Sequence, residues 1–292
     1  MRTRQTDLET AVQLLQSGNF KKALRVAKPL LKRQRQSSTL LALCGICAAN
    51  LGDLAAAERH FSNLVKVAGT DASAWANLGF VYFSRRKLEK AEHAYAKAAS
   101  LDRANPDHVV NLALCHVELG DLEAAASRYG DALEIDRRFP RALHGMANVT
   151  RQLGRPFDAM PHLRGLAEQA GSSNAEFWVE YAEVAFSTTD IPETRQAIGK
   201  AQEDTIDDAT LDARIAMLWS QVGEPEAAIA SIERAIEQSP DEPEILNNAA
   251  SIHIDTGNLA EAEAIFGEII RRWPGFSNAY LGLSQILKFD PR

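Results

Sequence analysis

The stretch Ala72–Asn105, ASAWANLGFVYFSRRKLEKAEHAYAKAASLDRAN, reads as two short amphipathic helices broken near Arg85-Arg86-Lys87. Trp75, Leu78, Gly79 and Tyr82 stand three or four apart and share one face of the first helix; Ala91, Tyr95 and Ala98 do the same in the second. Gly79 and Ala91 are small where the helices are expected to cross, which lets two backbones approach. A slide of 34 residues finds the pattern again, with starts at Arg4, Ser38, Ala72, Pro106, Pro140, Ala175, Ala209 and Pro243 and a single helix over 277–289. One residue, Asn174, breaks the register. The eighth residue from each start is Ala11, Gly45, Gly79, Ala113, Ala147, Ala182, Ala216, Ala250 and Ser284, small without exception. The twentieth is Ala everywhere except Thr194. Chance does not fill two slots this way, so the chain is an all-α array of about eight helical pairs with a capping helix.

The turn residues agree. Gly18, Gly52, Gly120, Gly154, Gly223 and Gly257 fall where first helices end and a left-handed residue is needed. Asn19, Asp53, Asp121 and Asn258 follow as N-cap candidates. Pro106, Pro140 and Pro243 open first helices, and Pro156, Pro192 and Pro225 fall in the first turn of second helices. Pro29 alone is read inside a helix, where it should kink it. The repeat from Ala175 is the weakest, with Thr189 in a Gly slot and Thr194 in an Ala slot, and it follows Gly171-Ser172-Ser173-Asn174. A geometric break near 171–175 and ordinary repeat drift are both open readings.

This W…LG..Y…A…Y..A arrangement resembles the tetratricopeptide repeat. The resemblance implies one solenoid over 1–292, wound as a right-handed superhelix, in which each repeat touches its neighbours and no single core exists. It also implies a binding scaffold whose first helices line a concave groove through their second, fifth, sixth, ninth, twelfth and thirteenth residues. Carried onto this chain, Asn77, Asn111 and Asn248 hold the sixth slot and resemble the asparagine ladder of the O-linked N-acetylglucosamine transferase repeats, whose amides grip an extended peptide. The ladder is interrupted by Glu9, Leu43, Gly145, Glu180, Arg214 and Gly282. Beside it run Ile46, Phe80, Phe83, Val110, Leu114 and Val117, an apolar strip that either faces the groove or packs on the next helix. Arg141, Asn148 and Arg151 are the nearest match to the two-residue carboxylate clamp that captures chaperone tails, and that match is too poor to expect such capture.

Catalytic signals are absent from the sequence. Cys44-Gly-Ile-Cys47 lies mid-helix at core slots, Cys115-His116 has no complementary ligands at zinc spacing, and no phosphate loop or nucleophile motif is present. Glu203-Asp204 and Asp207-Asp208 read as a solvated loop. No catalysis, metal or cofactor is expected. Three cysteines, the lack of an apolar run of membrane length, and a polar start, MRTRQTDLETAVQLL, point to a cytoplasmic protein without a membrane or nucleic-acid partner. Charge is uneven: residues 1–37 carry nine Lys or Arg against two Asp or Glu, and residues 174–267 carry four against 20. Lys21, Arg25, Lys28 and Lys32 form one stripe, read as a solvated outer face or as a surface for self-association with the acidic repeats. A second function remains open. The end, SNAYLGLSQILKFDPR, resembles the point where bacterial repeat-containing sulfotransferases pass into their catalytic domain, so these repeats could be the recognition arm of a larger enzyme.

Overall fold

A computed structural model describes residues 2–169, 174–203 and 207–289. All regular structure among them is helical. First and second helices alternate: α1 (Arg2–Gln16) and α2 (Phe20–Arg33), α3 (Ser38–Asn50) and α4 (Leu54–Val67), α5 (Ala72–Ser84) and α6 (Leu88–Leu101), α7 (Pro106–Leu119) and α8 (Leu122–Ile135). They continue as α9 (Pro140–Gln152) and α10 (Pro156–Gln169), α11 (Ala175–Ser187) and α12 (Ile191–Glu203), α13 (Ala209–Gln221) and α14 (Pro225–Gln238), α15 (Pro243–Asp255) and α16 (Leu259–Arg272), ending on α17 (Ser277–Phe289). The chain divides into two compact units, Met1–Gly154 and Arg155–Arg292. In each, successive helices pack on one another, and first helices also touch first helices, as α1 does α3 and α13 does α15. The break expected near 171–175 falls largely outside the described residues.

The small slots are small for a reason more specific than backbone approach. Where repeats two and three have glycine at the eighth position, an aromatic ring of the same repeat lies on it. A Cβ on Gly45 would stand 2.6 Å from the Phe61 ring, and one on Gly79 2.7 Å from Tyr95. Where that position is Ala113 or Ala250, the ring leans the other way, onto the sixth residue of the following first helix. There a Cβ on Gly145 or Gly282 would come within 2.2 Å of Tyr129 or Phe266. Two interruptions of the asparagine ladder are therefore ring seats.

All six turn glycines have positive φ, and Arg86 (φ 57°) and Thr189 (φ 62°) take the same left-handed place without glycine's freedom. At Gly52 the return is complete: its N–H donates to Ala49 at 3.0 Å, and that of Asp53 to Ala48 at 2.9 Å. Asp53 and Asp121 cap their helices through the side chain, whereas Asn19 and Asn258 do not; the Asn258 amide donates instead to Thr256 Oγ1 at 3.1 Å. Pro29 has a counterpart that the sequence reading missed, Pro161 inside α10. Thr194 is fully buried and its hydroxyl donates to the Asp190 carbonyl at 2.7 Å, so the helix itself absorbs the polar atom.

Candidate partner-binding surfaces

On α5, Asn77 is half-buried, and its amide has no hydrogen-bond partner among the described residues. One turn on, Phe80 is 51% exposed, an uncommon position for a ring on a helix whose other face already fills a core. Phe83 belongs to the packing instead, set against Ala91, Tyr95, Leu112 and Cys115. The rest of the expected apolar strip is likewise drawn inward: Val110 is buried, and Leu114, Val117 and Ile46 are half-buried against the repeat cores.

The α7 and α9 faces are tied together. Arg141 on α9 forms an ion pair with Asp107 and donates through Nη2 to Asn111 Oδ1 at 2.9 Å. The Asn111 carbonyl is thus taken, and its two N–H donors remain. On α9, Arg151 Nη2 donates to Asn148 Oδ1 at 3.2 Å, and Asn148 Nδ2 lies 3.3 Å from His144 Nε2. Arg141 is charge-matched by Asp107. Asn248 lies on α15 in the second unit, half-buried, with no amide partner among the described residues. The structure therefore joins Asn111 to Arg141 and Asn148 to Arg151, and leaves Asn77 and Asn248 with open amides.

The second-helix side carries features that single-motif reading overlooked. In the second unit Arg164 Nε and Nη2 donate to the two carboxylate oxygens of Glu193 at 2.9 and 2.6 Å, and the Tyr181 hydroxyl donates to the same carboxylate. These bonds from Arg164 and Tyr181, against partial burial, hold the Glu193 carboxyl at about 2. Lys200 Nζ sits 4.0 Å from the centroid of the Trp178 ring. Asp212, almost buried, accepts from Arg234 Nη2 and Gln238 Nε2, each at 2.9 Å. The signal was available in the 34-residue register: Trp178 and Asp212 are both the fourth residue of a repeat, and Lys200 and Arg234 both the twenty-sixth, visible only once adjoining repeats are aligned.

The thiols are buried. Burial lifts Cys44 to about 11, with Cys47 adding to the effect, and Cys115 to about 12. Protonated thiols of this kind are poor nucleophiles and poor ligands. Among the described residues no group of three or more His, Cys, Asp or Glu is placed to hold a metal, and no helix is long and apolar enough to cross a membrane.

Residues 8–129 match the family described as the Psidin N-terminal tetratricopeptide-repeat region, and residues 221–286 match a tetratricopeptide-repeat family. Among curated proteins, the human protein O-mannosyl-transferase TMTC3 is 26% identical over 204 residues, covering 68% of this chain and 22% of TMTC3. The Caenorhabditis elegans BBSome complex member bbs-4 is 23% identical over 210 residues, 72% of this chain and 40% of that protein. The chain thus spans less than half the length of either relative. Among solved structures, a tetratricopeptide-repeat protein from Parabacteroides merdae superposes with a TM-score of 0.60 at 15% identity, covering 87% of this chain and all of that one. YrrB, a tetratricopeptide-repeat protein with an unusual peptide-binding site, gives 0.55 at 21% identity over 65% of this chain and 97% of its own. With the 34-residue register, the paired helices and the glycine turns, these matches show that the fold is the all-helical one of tetratricopeptide-repeat solenoids and that segments 8–129 and 221–286 resemble such repeats.

Proposed function

We propose that the chain is a non-catalytic scaffold that holds an extended peptide on the first-helix face of α5, α7 and α9. The observation that carries this is the exposed Phe80 ring beside the unpartnered Asn77 amide, with the Asn111 N–H donors on the neighbouring first helix. An amide offers donors and an acceptor to an unpaired peptide group whatever its sequence, and a ring beside it selects a side chain. Arg141, held by Asp107, fixes the Asn111 rotamer so that its N–H groups are presented rather than its carbonyl. Leu114 contributes a half-buried apolar flank, Asn148 and Arg151 extend the polar rim, and Asn248 repeats the amide in the second unit. YrrB, which shares the fold, is described by its peptide-binding site, in keeping with this use.

Selection of peptides from a displayed random library against the purified chain provides the test. Peptides enriched on the native chain should lose at least tenfold in affinity, about 1.4 kcal/mol, when Asn77→Ala and Asn111→Ala are combined, with the circular-dichroism melt nearly unchanged. Enriched peptides that bind the double variant as well as the native chain would place the binding elsewhere.

A second reading has these repeats serving as the recognition arm of a larger protein. It is favoured by TMTC3, a transferase of which the matched region is 22%. Finding the reading frame continuing past Arg292 into a catalytic domain, such as a sulfotransferase, would decide for it.

A further inference from the structure

At four junctions between repeats, two in each unit, the second helices leave a notch lined by the fourth residue of the intervening first helix, and each is a cavity. In the first unit, the notch between repeats one and two has a volume of about 520 Å³ and is bounded by Lys28, Lys32 and Leu31 of α2, Leu41 of α3 and His60 of α4. The next, about 430 Å³, has Trp75 as its floor and Lys66 and Lys90 at its rim. In the second unit the corresponding notches hold Arg164, Trp178 and Glu193 in about 250 Å³, and Asp212 with Arg234 in about 460 Å³. The positions correspond residue for residue. Lys28 and Arg164 are each the twenty-fifth residue of a repeat, and Leu41, Trp178 and Asp212 are each the fourth.

The second unit fills its notches from within. Glu193 neutralises Arg164, Lys200 covers Trp178, and Arg234 closes on Asp212. In the first notch of the first unit the filler is missing. The residue equivalent to Glu193 is Ala56, and the one equivalent to Asp212 is Leu41. Lys28, Lys32 and the neighbouring Arg35 make no hydrogen bond or ion pair among the described residues, and both lysines are exposed. His60, which lines the notch, has its imidazole pushed below its usual range chiefly by burial and then by Arg59 and Lys28, with Asp53 opposing.

We infer that the notch between repeats one and two is a receptor for an acidic peptide segment. A carboxylate from the partner takes the place that Glu193 occupies in the second unit, between Lys28 and Lys32. An apolar side chain next to it rests on Leu31, Pro29 and Leu41. Charge complementarity selects the acid, and the aliphatic floor selects a peptide over a nucleic acid, which needs exposed rings on which bases stack. This surface is formed by second helices and is independent of the Asn77–Asn111 face.

The test uses the full chain and a short fluorescein-labelled peptide of alternating Glu and Leu, followed by anisotropy. Saturable binding that weakens with salt is expected. Lys28→Glu, an exposed substitution, should reduce affinity at least tenfold. So should Ala56→Glu, which supplies the missing carboxylate from within. Asp53 caps α4 and accepts from the Ala56 N–H at 2.9 Å, just as Asp190 accepts from the Glu193 N–H at 3.1 Å. A glutamate at 56 therefore finds the same helix start, but Ala56 is buried against the repeat core, so the melt is recorded beside the binding, and Lys28→Glu, at an exposed site, carries the test where the melt falls. Asn77→Ala with Asn111→Ala should leave this binding untouched. The inference is overturned by absence of saturable binding, by Ala56→Glu binding as tightly as the native chain, or by equal binding of a Glu–Ser peptide or of single-stranded DNA, either of which would reduce the notch to diffuse charge.

Discussion

Between residues 174 and 267 four Lys or Arg stand among 20 Asp or Glu, and each of the four is engaged: Arg195 with Glu224, Lys200 over Trp178, Arg214 with Glu183, Arg234 with Asp212. Between residues 21 and 35 seven Lys or Arg stand with no acid in the segment, and none has a hydrogen-bond or ion-pair partner among the described residues. The two regions share a backbone plan and differ in what the plan leaves over. Where cations are scarce they are drawn into the packing, and where they are in excess they stay available to something outside. The aromatic rings follow the same logic. In repeats two and three Phe61 and Tyr95 fold onto Gly45 and Gly79, and the next sixth positions are free to carry Asn77 and Asn111. At the end of the second unit Phe266 occupies that place on α17, and the residue there is Gly282.

The strongest way to break this contrast is to evict a ring. Gly79→Leu puts side-chain atoms where Tyr95 lies, 2.7 Å from the first of them, and the alternative seat that Tyr129 takes in the next repeat, the sixth position of the following first helix, is held here by Asn111. Overpacking of this kind costs about 2–3 kcal/mol, so the thermal melt should drop by several degrees. Peptide capture on the first-helix face should fall with it, beyond what the loss of folded protein explains. A melt within a degree of the native one would show that the ring has a second seat and that glycine at the eighth position is incidental.

That contrast also marks how far the sequence could be read. The repeat register, the helix ends and the left-handed glycines were legible because each is a local rule repeated many times: a small residue at a crossing, a glycine at a turn. The direction in which a ring leans was not, because it depends on a pair of residues in different repeats, Gly79 with Tyr95 or Gly145 with Tyr129. Asn111 was legible as an amide at the sixth position of a first helix. Its bond to Arg141 was not, since two residues 30 apart meet only through the packing of α7 on α9. Val110, read as facing either the groove or the next helix, is buried: an apolar residue on a first helix has two neighbouring helices to face, and periodicity alone does not say which. Asn19 and Asn258 have the right residue type for a cap, yet their side chains leave the backbone donors of α2 and α16 to other arrangements.

A second test acts on the self-paired region. The Glu193 carboxyl sits at about 2, below its ordinary value of 4.5, through hydrogen bonds from Arg164 and Tyr181. A depressed value means that the ionised form is favoured by folding. Its stabilisation is fully present above the ordinary value and is lost as pH falls through the interval from 4.5 toward 2. Arg164 is half exposed, so solvent screens much of the pair and the contribution is about 1–2 kcal/mol. Glu193→Gln should cost about that at neutral pH and only a small part of it at pH 2, a convergence followed by the fluorescence of Trp178 in the same notch. Parallel losses at both pH values would mean that the residue acts through packing and that its charge is incidental.

The smallest expected effect concerns the turn that departs from the rest. Thr189 holds φ at 62° where six other repeats have glycine. A β-branched side chain crowds its own carbonyl in that region at a cost of roughly 1–2 kcal/mol. Glycine removes the crowding but gives back roughly 0.5–1 kcal/mol through the greater freedom of the unfolded chain. The net gain for Thr189→Gly is therefore about 0.5–1 kcal/mol, seen as a melting point raised by a degree or two. Arg86, at φ 57° in the first unit, offers the control. It is unbranched at Cβ, and it also reaches Glu118 of the next repeat through an exposed ion pair worth little. Arg86→Gly should gain less than Thr189→Gly and could fall to zero. A destabilised Thr189→Gly would show that the threonine makes a contact worth more than its strain, and that the weakest repeat of the array is held by that residue rather than strained by it.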